Sequence, residues 1–223
     1  MIGLIVVVLV VLAVLWLKAN MAVKKLCKGK NEDQKKVIKY RYGGLFVFGK
    51  MTDQQYDEHV KNVMQKLNIR QKALNKIGID EDQLREIEPV CLEGYSRDDA
   101  FVGKDDLLRS TKYETAWLFF SDTQVYMYRC TIDMTSDNKR ENTEEYFYKD
   151  ITNFSTAAET IEAFRVKNGC FGAKATEEKV NREFSDFGLI VPGDKFRCST
   201  SNSKNIDQSV SAMKQKLREK KNA

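Results

Sequence analysis

Tyr113–Phe120 (YETAWLFF), Val125–Met134 (VYMYRCTIDM) and Asn142–Tyr148 (NTEEYFY) are the stretches on which the reading of this chain turns. Each is rich in aromatic and β-branched residues and runs with a period of two, the spacing at which successive side chains leave opposite faces of a strand. Ser121–Gln124 joins the first two as a short hairpin loop, and Thr135–Arg140 is a longer one. Further strands are predicted at Ile151–Ser155 (a continuation of the third strand or a bend from it), Glu159–Lys167, Thr176–Phe184, Phe187–Val191 and Lys195–Cys198. Pro192-Gly193-Asp194 supplies the turn before the last of them. Consecutive strands with links this short pair antiparallel. After them, Ile206, Val210, Met213 and Leu217 recur at helical spacing, so one apolar stripe is expected to cover one surface, the open end of a curved sheet.

Phe120–Tyr128 (FSDTQVYMY) and Tyr148–Asn153 (YKDITN) give this region a resemblance to bacterial PH-like (GRAM-like) domains, over about half the chain. The resemblance implies a seven-stranded antiparallel PH-like barrel capped by the C-terminal helix, at residues 107–223, with Trp117 and Leu217 in its core. It also implies a binding role, since such barrels dock lipids, peptides or other subunits. One departure bears on ligand class. The first hairpin loop, Ser121–Gln124, carries no cation, so inositol phosphate recognition is not indicated, and the nearest basic pair, Lys139 and Arg140, is the candidate headgroup or partner contact.

Upstream, Met1–Leu17 (MIGLIVVVLVVLAVLWL) has no charge and no proline. It is read as an N-terminal transmembrane helix, although at about 1.5 Å per residue it spans only roughly 25 Å of a hydrocarbon core of about 30 Å. A cleaved signal would carry cations before the apolar run; here they follow it. From Lys18 to Arg41 there are nine cations against Glu32 and Asp33, whereas the whole chain carries +5. The basic excess is therefore local, and the positive-inside rule places it in the cytoplasm. Trp16, Lys18, Lys24, Lys25 and Lys28 are the expected membrane contacts. The expectation is a single-pass protein of the cell membrane with its body on the cytoplasmic side: residues 1–18 as anchor, 19–50 as a basic juxtamembrane segment with affinity for anionic lipid, 51–89 as a helical spacer, and 107–223 as the barrel. The fold class so read is α+β.

Within the spacer, Thr52 and Gln55 match a capping box, and Tyr56, Val60, Val63, Leu67, Leu74 and Ile77 follow at helical spacing up to Gly78. This helix packs on the body or, alternatively, pairs two chains. A short helix is predicted over Asp80–Glu88, and Val90–Leu108 reads as irregular. Val37–Phe48 is either a hairpin or an apolar segment lying on the membrane or the body.

Chemistry is sparsely written. The five cysteines are too far apart for a CxxC site, and His59 is the only histidine, so no His-based metal site or catalytic dyad can be assembled. Asp133, Thr135, Asp137 and Glu144 have the spacing of an EF-hand loop, but Asn138 stands where its turn needs glycine. The strand aromatics lack interleaved lysines, which speaks against nucleic acid. No enzyme, cofactor or metal is expected. The sequence points to a non-enzymatic module that docks a protein or lipid partner, with a structural protein dimerising through residues 52–77 as the alternative.

Overall fold

The computed structural model describes residues 2–44, 47–80, 84, 87–167 and 176–222, with the side chains of residues 2–6, 8, 15, 19, 166, 167 and 176 outside the description. In chain order the elements are α1 (Ile2–Leu26), α2 (Glu32–Tyr42), α3 (Asp53–Leu67), α4 (Ile69–Ile77), β1 (Val90–Tyr95), β2 (Phe101–Val102), β3 (Leu108–Arg109), β4 (Lys112–Phe120), β5 (Gln124–Asp133), β6 (Lys139–Phe147), β7 (Asn153–Lys167), β8 (Thr176–Val191), β9 (Asp194–Ser199) and α5 (Ile206–Asn222).

The strands form two sheets, a four-stranded one in the order β1-β4-β5-β6 and a five-stranded one in the order β3-β2-β7-β8-β9. Leu92, Leu118, Phe120 and Met127 of the first meet Phe154, Phe187 and Leu189 of the second in the main core, and Val210, Met213 and Leu217 of α5 fill its open end. The turn into β9 forms as its Pro-Gly pair requires, with Gly193 at φ 85°.

The expectation of a seven-stranded barrel is corrected here: among the described residues no sheet closes. At one gap the chain leaves β6 through Tyr148–Thr152, where Tyr148 N–H bonds back to Thr123 and Thr152 N–H to Ile190, so β6 and β7 never form a ladder. At the other, β1 is served by a loop rather than by β9. Ser203 Oγ accepts from Glu93 N–H at 2.8 Å, Ser201 Oγ from Tyr95 N–H at 3.2 Å, and Asn202 N–H donates to Glu93 O at 3.1 Å. The topology is also not wholly antiparallel, since β2 runs parallel to β7. Three strands, β1 to β3, lie in the stretch read as irregular.

The long β7–β8 ribbon changes its buried face midway. Near the main core it buries Phe154, Phe187 and Leu189. Farther out it buries Ile161, Ala163 and Phe184, on the opposite face, in a small core with Ala100 and Val102.

A transmembrane anchor is likewise not supported: among the described residues no helix is long and apolar enough to cross a membrane. The uncharged run stops at Leu17, and α1 continues through Lys18, Lys24 and Lys25. Its last turns belong to the body, where Val23 and Cys27 are buried with Ile38 of α2 and Val47. The single-pass membrane placement with a cytoplasmic body falls with the anchor.

Helices α3 and α4 form where the spacer helix was expected, capped by the Thr52–Gln55 box and broken at Asn68, which takes a left-handed φ of 43°. They pack on the outer face of the four-stranded sheet. Tyr56 and Val60 meet Tyr95 and Tyr113, while Ile69, Ala73 and Leu74 meet Phe119, Tyr128 and Cys130. Val37 of α2 joins the first of these clusters, so the start of the Val37–Phe48 stretch is helical and lies on the body. The helix expected over Asp80–Glu88 falls mostly outside the described residues.

Candidate functional site

Two clefts flank the helical layer. The first, of about 1320 Å³, lies between α3–α4 and α5, with the outer face of β1 and β4 as its floor. Strand alternation builds that floor. Leu92, Ala116 and Leu118 point into the main core, so Cys91, Glu93, Tyr113, Thr115 and Trp117 point outward. Trp117 stacks on Phe119 with ring centroids 6.0 Å apart, and the Arg70 guanidinium lies 6.0 Å from its ring. Burial holds the Glu93 carboxyl above its ordinary pKa, opposed by a hydrogen bond with Tyr113 and by the charge of Lys204. Burial also pushes the Cys91 thiol up to about 11, with Glu93 adding to it, so Cys91 is no nucleophile at neutral pH.

The wall made by α3 is pinned by an ionic cluster centred on Arg109, which is 1% exposed. Its guanidinium forks onto Asp57 at 2.8 and 2.7 Å and onto Asp105 at 2.7 and 2.6 Å. Burial alone would lower the Arg109 pKa, but the bonds to Asp105 and Asp57 outweigh it and hold it above its ordinary value. Tyr95 adds an O–H donation to Asp57 at 2.6 Å. Asp53 receives the Tyr40 hydroxyl at 2.9 Å and the backbone N–H groups of Lys104 and Asp105 at 2.6 and 3.1 Å. Gly103 lies close beneath this cluster: a Cβ there would come within 2.4 Å of the Arg109 guanidinium, so a larger residue would force the cluster to shift.

The second cleft, of about 1360 Å³, lies between the end of α2, the following segment and the β2–β3 turn. Arg41, Lys50, Phe101, Lys104 and Glu177 are among its lining residues.

The residues singled out from sequence stand apart from both clefts. Trp16 is 41% exposed on α1, and Lys18, Lys24, Lys25 and Lys28 are exposed along and just beyond it. Lys139 and Arg140 lie at the start of β6, the outer strand of its sheet, where Lys139 pairs with Glu141 at 3.1 Å. The EF-hand-like residues do not converge: Asp133 accepts from the Thr135 and Ser136 hydroxyls in a turn between strands. Among the described residues no group of three or more His, Cys, Asp or Glu could hold a metal ion.

Arg41, Arg109 and the outward position of Trp117 were missed. Arg41 was counted among the charges beside the apolar run. Trp117 was placed in the core because apolar residues occupy both parities of β4, so alternation alone could not say which face was which.

Comparison with known proteins gives no match to any family model, curated protein or solved structure. None of these comparisons identifies a PH-like or GRAM-like family.

Proposed function

We propose that this chain is a non-enzymatic binding module that accepts an extended segment of a protein partner in the first cleft, along the edge of β1. The observation that carries this reading is the open end of that edge. The main-chain groups of Glu93 and Tyr95 point outward to Ser201–Ser203. By antiparallel alternation the N–H and C=O of Cys91, a residue that lines the cleft, face the same edge, and no described residue outside the strand ladder bonds to them. A strand added there would gain main-chain hydrogen bonds, while its alternate side chains met Trp117 and the α5 wall at Gln208 and Ala212. The volume supports a chain segment over a small ligand, whose pockets usually measure about 300–1,000 Å³. The apolar side chains of α3 and α4 are engaged with the sheet, so the alternative of pairing through residues 52–77 gains no support from them.

The test is selection of a random displayed peptide library on the full chain, followed by titration in a Trp16→Phe background where Trp117 is the sole tryptophan. Selected peptides should change Trp117 emission and lose affinity by on the order of tenfold or more for Ala212→Phe, which fills the cleft from an exposed wall position without adding a tryptophan. Peptides that bind both forms equally would place the interaction elsewhere.

A further inference from the structure

The second cleft contains a cation whose partners are incomplete. Arg41 closes α2 with its side chain only 7% exposed. Its guanidinium carbon lies 4.8 Å from the centroid of Phe101 and 5.2 Å from that of Tyr42. Both terminal nitrogens reach for a single oxygen, Oε1 of Glu177, each at 3.4 Å. Nε is buried and makes no hydrogen bond among the described residues. A guanidinium has five N–H donors, so Arg41 is served by one carboxylate oxygen at the long limit of a hydrogen bond.

Arg109 provides the contrast within the same molecule. It is more deeply enclosed still, and two carboxylates grip it in paired bonds of 2.6–2.8 Å. That is what an arginine engaged only in holding the fold looks like here, and Arg41 does not look like it.

The neighbours reinforce the difference. Asp53 is held by Tyr40 and two backbone N–H groups, Asp105 by Arg109, and Asp106 by both Arg165 and Arg182. Glu177 is held loosely and is 51% exposed, so water can take it up at little cost. Lys50 turns its Nζ to the carbonyls of Gly43 and Gly44 at 2.8 and 3.0 Å, and burial and the charge of Lys104 hold its pKa below the ordinary value. Four cations, Arg41, Lys50, Lys104 and Arg165, thus line one cleft; Arg165 is paired with Asp106, and the carboxylates other than Glu177 are already engaged.

We propose that the second cleft is a carboxylate-binding site centred on Arg41, in which Glu177 is the resident stand-in that an incoming carboxylate displaces. The two rings leave the edge of the guanidinium as the approach, and its planar fork matches a planar carboxylate with two parallel bonds. Lys50 and Lys104 line the same cleft and offer further cationic contacts, which suits a ligand with more than one carboxylate. Such a group comes either from a small dicarboxylate or from the side chains of an acidic peptide.

The experiment follows the Arg41 Nε–H resonance in the full chain, assigned by its loss in Arg41→Lys, during titration with succinate, with a capped tetraglutamate peptide, and with inorganic phosphate as reference anion. Saturable movement with succinate identifies a small-molecule site, and movement with the peptide alone identifies a peptide site; either supports the proposal. Glu177→Gln removes the competitor and should tighten carboxylate binding on the order of fivefold. Arg41→Lys keeps the charge but loses the fork, and should weaken binding on the order of tenfold. A resonance unmoved by both carboxylates, tighter binding of phosphate than of either, or unchanged affinity in Glu177→Gln would overturn the proposal. Affinities are taken by isothermal titration calorimetry on the full chain, so the last two readings need neither the Arg41 variant nor the resonance assignment and stand even if Arg41→Lys fails to fold.

Discussion

The two faces of the four-stranded sheet are covered by different parts of the chain and in different chemical styles. The inner face meets the second sheet and α5 mainly through carbon, with Leu92, Ala116, Leu118, Phe120, Val125 and Met127 joined by the Arg129 cation over the Phe196 ring. The outer face meets α3 and α4 through aromatic rings that carry polar ends. Tyr56 donates to Ser110 O at 2.8 Å, Tyr95 to Asp57, and Arg109 ties α3 to the β2–β3 segment. A carbon interface needs only complementary shape and closes fully. An interface fixed by directed bonds can stop where the bonds stop, and on β1 it reaches no farther than Tyr95, leaving Glu93 and, on β4, Trp117 at the floor of a cleft. The difference teaches that one sheet can be a core wall on one side and the floor of an open cleft on the other.

The strongest way to break this contrast is Leu118→Ala. It empties a fully buried position of the inner face and should cost about 3 kcal/mol in urea unfolding, with all probes moving together. A loss well under 1 kcal/mol would mean that the inner face is not the principal core. Arg109→Met comes next, at about 2 kcal/mol. Breaking a buried pair typically costs about 3–5 kcal/mol, but Asp57 and Asp105 are 41% and 35% exposed and can rehydrate. Amide exchange should quicken in α3 first while β4 and β5 stay protected; uniform quickening would count against a separately fastened outer layer.

Arg109 also sets a pH dependence. Its hydrogen bond, the largest cause, holds the Asp105 carboxyl below the usual carboxylate range against the opposing effect of burial. A depressed folded value contributes stability that is present above the unfolded value of about 3.9 and lost as pH falls through the folded one. Wild type should therefore lose stability below about pH 4 more steeply than Arg109→Met. The smallest effect sharpens the cleft itself. Glu93 has the opposite shift, raised by burial. Its contribution is complete below the unfolded value and is lost as pH rises through the folded one. Glu93→Gln should remove that decline and leave the protein as stable as wild type, or slightly more so, at neutral pH. A melting curve with the same pH slope in both would show that Glu93 is solvated rather than enclosed.

What could be read from the residues follows from which signals are local. The capping box at Thr52–Gln55 and the stripe Val210, Met213, Leu217 are short-range patterns, and both elements formed where expected. β4, β5 and β6 were found within a few residues because their composition and loops agree. β2 and β3 have two residues each, too short for any periodicity, and β1 contains Gly94 and Glu93, which weaken a strand signal. How the sheets end was not legible at all. Closure depends on where Ser201 and Ser203 come to rest against β1, a contact across more than a hundred positions. The apolar run of α1 was legible as a helix, but its last turns pack on the body through Val23 and Cys27, which no local pattern announces. The clefts were invisible for the same reason: Arg41 and Glu177 meet across most of the chain.

The mid-ribbon change of face in β7–β8 sets a rule for how this protein can vary in length. The half holding Phe154 and Phe187 answers to one core, and the half holding Ile161 and Phe184 answers to another. Inserting or deleting one residue in each strand at the crossover would leave the inner half in place and turn the outer half inside out, carrying Glu177 away from Arg41. Changes by two in each strand preserve both parities. The ribbon is thus a spacer graded in steps of two, and a working descendant of this chain with a longer or shorter arm should differ by an even number of residues in each strand.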